Sequence, residues 1–242
     1  LAQRDKLTIA VYEKGPKLVV QGRGTEDFVK FRLEPEILGE AKLGYEEVLN
    51  PEMFEPHFGI DESGKGDFFG PLVIAGVYVD RDLARQFQQI GVTDSKRISS
   101  DKRIRDLAGA IRNSGAAQSV VTIGPERYNS LFLKIGNLNR LLAWGHARVI
   151  ENLMALKNQM IPPPVRAISD QFARAKTTVQ RALMPLGREI ELIQRHKAEG
   201  DMAVGAASIL ARHEFVSRLK RMGKEYGLAF PKRASAQGQE VG

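Results

Sequence analysis

Apolar and polar residues alternate near the start of the chain, and this pattern predicts two short strands. They cover Leu7 to Tyr12 and Lys17 to Gln21, and the turn between them makes a hairpin. Thr25 is then expected to cap a helix that ends at about Arg32. The stretch from Glu34 to Pro56 carries three prolines and shows no clear period, so a linker is predicted there.

From residue 57 onward, short apolar runs alternate with segments of helical period. The apolar runs predict strands over Phe58–Glu62, Leu72–Val79, Gln118–Ile123, Val165–Asp170 and Glu189–His196. Helices are predicted from Ser99 or Ser100 to Asn113, from Asn137 to Gln159, between the last two strands, and from Glu199 to Gly223. This alternation is typical of a mixed or parallel sheet covered by helices, so the predicted fold class is α/β.

Composition is typical of a globular protein and excludes several kinds of chemistry. Of the 242 residues, 43% are hydrophobic and 27% are charged, which is close to the globular average. The absence of cysteine excludes disulfides, thiol nucleophiles and Cys-ligated metal sites, and it suits a reducing cytoplasm, where we predict the protein to reside. The most apolar stretch, Met202 to Ala211, is about half the length of a membrane-spanning helix, so no membrane association is predicted.

The positive charge belongs entirely to the second part of the chain. The formal net charge is +7, yet residues 1–56 carry eight basic and eleven acidic side chains. Residues 57–242 therefore hold the remaining 28 basic and 18 acidic side chains. A positive field of this size favours a polyanionic partner such as nucleic acid.

The most informative motif is a pair of adjacent acids, Asp61 and Glu62, followed by a glycine-rich turn that ends at Pro71. A plain tight turn is one interpretation. The glycines at positions 64, 66 and 70 are spaced one residue too widely for the dinucleotide-binding pattern. Because two acids would repel a phosphate unless a divalent cation lay between them, the motif indicates metal-assisted phosphoryl chemistry.

Two further acids occupy positions where α/β sheets carry their active groups. Asp170 ends a predicted strand, and Glu199 follows another strand and is expected to open the last helix. Each alone is typical of a helix start, where a carboxylate complements the helix dipole. Together with Asp61 and Glu62 they make four carboxylates, which can hold two hard cations. The nearest alternative acids are Asp67 and Asp201.

More motifs accompany the acidic pair, in a fixed order and spacing. They are Gly66–Pro71, Asp94-Ser95-Lys96, Tyr128-Asn129, Asn137–His146, Ser169–Ala173, Lys197-Ala198-Glu199 and Ala206–Ile209. This set resembles the type 2 ribonuclease H family over about residues 57–233, and it is most similar to the ribonuclease HIII branch. In the HII branch the position of Gln171 is usually Gly, and Lys-Ala-Glu is usually Lys-Gly-Asp.

The resemblance implies a ribonuclease H-like mixed sheet flanked by helices and an endonuclease that hydrolyses the RNA strand of RNA/DNA hybrids. It implies Mg²⁺ or Mn²⁺ at a two-metal site, no small-molecule cofactor, and products with 5′-phosphate and 3′-hydroxyl ends. Asp61, Glu62, Asp170 and Glu199 match the four acidic positions of the family. We expect Asp61 to bridge the two ions and the other three acids to share the outer positions.

The same resemblance assigns residues to substrate binding. Gly64-Lys65-Gly66 matches the turn that senses the 2′-hydroxyl of the ribose, for which a plain tight turn is the alternative. Ser95 and Lys96 are predicted phosphate contacts. Basic residues on the last helix are predicted either to extend this track or to form a solvated face: Arg212, Arg218, Lys220, Arg221 and Lys224.

The adjacent acids pose a geometric condition. Neighbouring side chains on a strand point to opposite faces, so Asp61 and Glu62 can both reach one site only if the strand ends or bulges between them. The histidines at 57, 146, 196 and 213 match no zinc-binding pattern and are given no role. Trp144 and the leucines around it are assigned to the core.

The domain organisation follows from the resemblance. Residues 1–45 are predicted to be part of a substrate-binding segment that is similar to the TATA-binding-protein fold, residues 46–56 a linker, and residues 57–233 the catalytic domain. Residues 234–242 are predicted to be a polar tail, with the family's C-terminal helices absent. A truncated, inactive hybrid-binding module and a different nuclease or resolvase of the same fold stay open as alternatives. A monomer is expected.

Overall fold

Two units make up the chain, Leu1–Phe54 and Glu55–Gly242. The computed structural model describes residues 2–4, 7–12, 17–38, 51–172, 177–195 and 198–231. The predicted turn at 13–16 and the predicted tail at 234–242 lie outside the described residues.

The first unit contains the predicted hairpin with one more strand beside it. Strands β1 (Ala2–Arg4), β2 (Leu7–Tyr12) and β3 (Lys17–Gly22) pair antiparallel in that order, and the hairpin prediction is confirmed. Helix α1 (Thr25–Phe28) continues as a π-helix over Val29–Leu38, so the helical segment extends beyond the predicted end. A 3₁₀ turn follows at Pro51–Phe54.

The second unit is built on a five-stranded mixed sheet, as predicted. Its strands are β4 (His57–Ser63), β5 (Leu72–Val79), β6 (Gln118–Ile123), β7 (Arg166–Asp170) and β8 (Glu191–Arg195), and their order is β6-β5-β4-β7-β8. Strand β5 is antiparallel to β4 and β6, whereas β7 runs parallel to β4 and β8 runs parallel to β7. The three parallel strands therefore end at the same edge of the sheet.

In the described part of this unit, six helices accompany the sheet: α2 (Arg81–Gln89), α3 (Asp101–Asn113), α4 (Pro125–Ile135), α5 (Leu138–Met154), α6 (Thr177–Ala182) and α7 (Met202–Tyr226). Ser100 caps α3 through its side chain, as predicted. Asn137 caps α5, which ends at Met154, before the predicted end at Gln159. The sequence analysis did not predict α2 and α4. Short 3₁₀ turns lie at Ser95–Arg97, Lys157–Gln159, Leu186–Glu189 and Ala198–Gly200.

The start of the last helix differs from the prediction. Helix α7 begins at Met202 because Asp201 is its N-cap, with a side chain that accepts hydrogen bonds from the backbone amides of Ala203 and Val204. Glu199 therefore lies in the turn before the helix and does not open it. Within the described ranges, none of the helices combines the length and the apolar character that crossing a membrane requires.

The two longest helices pack on opposite faces of the sheet. A Cβ on Gly59 would overlap the backbone of α7 at Ala203 and Val204, and a Cβ on Gly76 would overlap side chains of α5. Gly76 pairs with Ile60, the residue after Gly59, so the two glycines face opposite sides. The α5 side carries the larger apolar core, which includes Phe58, Ile60, Ile74, Leu142, Ile150 and Leu153.

Candidate active site

Asp61 and Asp170 lie side by side on neighbouring strands. They directly follow the last parallel pair between β4 and β7, so they are adjacent in register. Two positions earlier, Gly59 and Ile168 both pack against α7 near Val204, which places both aspartates on the α7 face of the sheet. The structure thus brings these two predicted site residues together.

Asp61 has an unusual pKa for a carboxyl group. Its burial and the nearby charge of Glu62 raise the pKa of Asp61 from 3.8 to about 7, and the charge of Asp170 adds to the rise. A hydrogen bond from the Glu62 amide to Oδ1 of Asp61, 2.8 Å long, and the charge of Lys96 act in the opposite direction. The buried Asp61 carboxyl group therefore resists ionisation.

Strand β4 continues without a bulge through both adjacent acids. Its ladder with β5 advances one residue at a time, from His57 opposite Val79 to Ser63 opposite Val73. Glu62 consequently points toward α5, away from the face that carries Asp61. The condition set by the sequence is therefore not met within the ladder, and the two side chains can meet only around the end of the sheet.

Glu62 is held by two basic partners at this end of the sheet. Nε2 of His146 lies 3.1 Å from Oε2 of Glu62, and Nζ of Lys65 lies 3.8 Å from Oε1. Burial alone would raise the pKa of Glu62, but the hydrogen bond and charge of His146 and the charges of Lys65 and Lys96 lower it overall. Glu62 is therefore ionised while its neighbour Asp61 resists ionisation.

His146 is the residue that the sequence analysis missed. It is fully buried in α5, and its Nδ1 lies 3.1 Å from the hydroxyl oxygen of Ser169, the residue before Asp170. The ring of Phe172 packs against it, with 4.8 Å between the ring centroids. In a sequence, a histidine on an apolar helix face is interpreted as a core residue. No local pattern shows its bond to Glu62, because the two residues are 84 positions apart.

The Asp94-Ser95-Lys96 turn reaches the same end of the sheet. Lys96 is exposed, and its charge lowers the pKa of both Asp61 and Glu62, so the ammonium group lies close to both carboxyl groups. Ser95 is only 5% exposed, and its hydroxyl is bonded to another side chain. Both residues stay predicted phosphate contacts, Lys96 through its exposed side chain and Ser95 from a buried position.

The turn Gly64-Lys65-Gly66 has one closed side and one open side. Gly64 has φ +91°, and a Cβ there would overlap the carbonyl oxygen of Pro71. Gly66 has φ +80°, and a Cβ there would meet no atom within 4 Å. Both positions need glycine for their backbone conformation. The open space beside Gly66 leaves room for a ligand to approach the backbone.

The remaining acidic candidates, Glu199 and Asp201, lie close together in sequence but have different surroundings. The turn Ala198–Gly200 carries Glu199, and its first residue packs with Ile168 and Val204 on the α7 face. The side chain of Glu199, like Lys197, lies outside the described part of the structure. Asp201 is buried and bonded to His57, with its Oδ1 3.0 Å from Nε2 of the histidine. Asp201 therefore serves the start of α7.

Mg²⁺ and Mn²⁺ prefer oxygen ligands, which Asp61 and Asp170 provide on one face. In the described ranges, no three acidic or histidine side chains are grouped so as to hold a metal ion. Burial, then the charges of Glu62 and Asp170, raise the pKa of Asp61, and a bound divalent cation would favour its ionised form. Asp61 and Asp170 could therefore supply part of the ligands of a divalent cation.

The basic residues of α7 are of two kinds. Three of them have partners: Arg212 donates to the Ser95 carbonyl oxygen, Lys220 pairs with Asp101, and Arg218 pairs with Glu214 of the same helix. Arg221 and Lys224 are exposed. These two exposed side chains remain candidates for the predicted track along the hybrid.

The chain matches known proteins along its length. A family model described as Ribonuclease HII matches residues 58–239. Ribonuclease HIII of Protochlamydia amoebophila (strain UWE25) is 45% identical over 241 residues, which is 100% of this chain and 76% of that protein. Ribonuclease HIII of Chlamydia caviae is 43% identical over 245 residues, which is 100% of this chain and 77% of that protein.

The fold also matches a solved structure. The crystal structure of Bst-RNase HIII in complex with Mn²⁺ superimposes with a TM-score of 0.69 at 26% sequence identity. The match covers 99% of this chain and 78% of the other. The similarity therefore includes the strands and helices that carry the acidic residues.

Proposed function

Because the chain belongs to the ribonuclease HII family, in its ribonuclease HIII branch, we propose that it acts as a ribonuclease H on RNA/DNA hybrids. It hydrolyses the RNA strand internally, by two-metal-ion catalysis, and leaves 5′-phosphate and 3′-hydroxyl ends. The resemblance inferred from the motifs is confirmed at the level of the family.

The observation that carries this proposal is the pair Asp61 and Asp170. The two carboxyl groups are adjacent on one face, and burial and neighbouring charge raise the pKa of Asp61 to about 7. Divalent cations would supply activation of the attacking water and stabilisation of the leaving 3′ oxygen. Asp61 and Asp170 would hold them, with Glu62 and Glu199 completing the site. The Mn²⁺ in the related Bst structure supports Mg²⁺ or Mn²⁺ as the ions.

The other residues orient the hybrid. Lys96 lies near Asp61 and Glu62 and would contact the phosphate next to the scissile bond, because an exposed ammonium group is suited to this role. The open side of Gly66 would admit the ribose, so that backbone groups of the turn meet its 2′-hydroxyl. Recognition of ribose would thus occur next to the acidic residues.

Three labelled duplexes test the proposal in Mg²⁺ or Mn²⁺: a uniform RNA/DNA hybrid, DNA that contains one ribonucleotide, and plain DNA. We expect cleavage within runs of ribonucleotides, poor cleavage at a single ribonucleotide, and none of plain DNA. With a 3′-labelled RNA strand, a change in mobility after phosphatase treatment would identify the new 5′-phosphate, and extension of the 5′-labelled fragment by a polymerase would identify the 3′-hydroxyl. Cleavage of plain DNA would indicate a resolvase, and binding without cleavage an inactive module.

The variant Asp170→Asn removes one predicted ligand and should abolish cleavage of the hybrid. Glu126→Gln is the matched control, because Glu126 is an exposed acid in the first turn of α4. Full activity of Asp170→Asn, or equal loss in Glu126→Gln, would overturn the assignment of the site.

A further inference from the structure

His146 is completely buried in α5, yet both of its ring nitrogens have polar partners. Nε2 lies 3.1 Å from Oε2 of Glu62, and Nδ1 lies 3.1 Å from the hydroxyl oxygen of Ser169. Burying a polar ring is costly unless such partners satisfy it. The remaining buried neighbours on this side of α5 are apolar, among them Leu142, Val149 and Ile150.

The two partners belong to different strands of the candidate site. Glu62 is at the end of β4, and Ser169 directly precedes Asp170 on β7, where its hydroxyl donates to the Asp170 carbonyl oxygen at 3.0 Å. His146 therefore connects the ends of the two strands that carry Asp61, Glu62 and Asp170. It makes this connection from the α5 face, opposite to the face of the two aspartates.

This connection matters because the ladder alone directs Glu62 away from the aspartates. The hydrogen bond fixes Oε2 of Glu62 and leaves Oε1 toward Lys65, whose Nζ is 3.8 Å away. The ring of Phe172 packs on the imidazole at 4.8 Å, and Nζ of Lys65 lies 5.5 Å from the centre of the same ring. The carboxylate is thus restrained on several sides at the end of the sheet.

We propose that His146 is a positioning residue that fixes the Glu62 carboxylate beside the end of β7, so that Glu62 can serve the same metal site as Asp170 around the end of the sheet. The inference rests on the proposed function, because it takes Glu62 as a ligand. Partners of this kind restrict the orientation of metal-binding side chains, and their loss commonly weakens metal affinity.

The experiment measures Mn²⁺ binding to the full chain without substrate, by calorimetry and by the electron paramagnetic resonance signal of free Mn²⁺. His146→Ala should weaken binding by about 10- to 100-fold. His146→Gln, whose amide can replace Nε2 as a donor to Glu62, should restore most of the affinity. Ser169→Ala keeps the bond to Glu62 and should cause a smaller loss than His146→Ala.

Leu153→Ala is the matched control, because Leu153 is fully buried in the same helix and belongs to the apolar core. It should lower the melting temperature and leave the Mn²⁺ affinity unchanged. If His146→Ala behaves like Leu153→Ala, or if His146→Gln binds no better than His146→Ala, His146 has only a packing role and the inference is wrong. If His146→Ala fails to fold, the Mn²⁺ affinities of His146→Gln and Ser169→Ala, each compared with wild type, decide whether His146 has a positioning role.

Two further variants separate this inference from the proposed function. Asp61→Asn and Glu62→Gln should both weaken Mn²⁺ binding. Loss of affinity in Asp61→Asn alone would leave the metal site in place but would overturn the role of His146. Unchanged affinity in both variants would overturn the proposed metal site itself, and the inference with it.

Discussion

Ser95 and Ser208 are 113 residues apart in sequence, and their hydroxyl oxygens lie 2.6 Å apart in the structure. The backbone amide of Ser95 also donates to the Ser208 hydroxyl oxygen at 3.0 Å, and Arg212 donates to the Ser95 carbonyl oxygen. Both serines are buried. These bonds fasten the turn that carries Lys96 to helix α7.

Ser208→Ala should therefore affect substrate binding through Lys96. The change leaves the Ser95 amide and hydroxyl without this partner, which costs about 1 to 3 kcal/mol of the free energy of unfolding. We also expect a higher KM for the hybrid with a smaller change in kcat. A double-mutant cycle with Lys96→Ala checks the mechanism, because the two effects on KM should not add. Additive effects would show that Ser208 does not act through Lys96.

Gly59→Ala should destabilise the protein severely. A Cβ at this position would overlap the backbone of Ala203 and Val204, which cannot move aside like a flexible side chain. We expect a loss of about 3 kcal/mol or more, at the upper end of overpacking effects. Gly109→Ala is the control, because Gly109 lies within α3 and a Cβ there would meet no atom within 4 Å. It should stabilise the protein by about 0.5 to 1 kcal/mol, and urea denaturation measures both.

The exposed residues Arg221 and Lys224 should contribute to the electrostatic grip on the hybrid. Replacing both with alanine should weaken binding and reduce the slope of log K against log salt by up to about 2, if each contacts one phosphate. Arg127 and Lys134 provide a matched pair, because they are exposed on α4, which packs against α5 on the other side of the sheet. Equal effects of the two double variants would indicate general charge attraction only.

Most strands and the capped helices could be predicted from sequence because their signals are local. Strand β5 and the ends of α3 coincide with the predicted bounds, since an apolar run and a side-chain cap define them. Helix α2 was missed because it is largely polar, although Asp80 caps it by accepting from the Leu83 amide. Helix α4 starts at Pro125, and Gly136 caps its C-terminal end, which are both local signals of helix ends.

The site was less predictable because its geometry depends on pairing between distant residues. The motifs identify the acidic residues, but no local signal shows whether β4 bends between Asp61 and Glu62. The continuous ladder with β5 decides that they point to opposite faces. The bond between His146 and Glu62 likewise follows from the packing of α5 on the sheet. Such contacts require the register of the strands, which a single sequence does not contain.

Asp201 and His57 form a buried pair whose contribution to stability should depend on pH. Nε2 of His57 lies 3.0 Å from Oδ1 of Asp201, and Nδ1 lies 2.6 Å from the Glu55 carbonyl oxygen. Burial alone would raise the pKa of Asp201, but the hydrogen bond and charge of His57, a backbone hydrogen bond from Val204, and the charge of Arg195 lower it overall. A lowered folded-state pKa stabilises the protein above the unfolded value of about 3.9, and this contribution is lost as pH falls below it.

Asp201→Asn should remove this pH dependence while keeping a side-chain cap for α7. Asp201→Ala should cost more, about 2 to 4 kcal/mol, because it also leaves the helix start and Nε2 of His57 without this partner. Urea denaturation between pH 7 and pH 3 measures the difference in stability between wild type and Asp201→Asn. That difference should be constant near neutral pH and should shrink below about pH 4, by at most about 1.4 kcal/mol per pH unit for one proton. A gap that stays constant down to pH 3 would mean that the Asp201 carboxylate does not stabilise the fold through its charge.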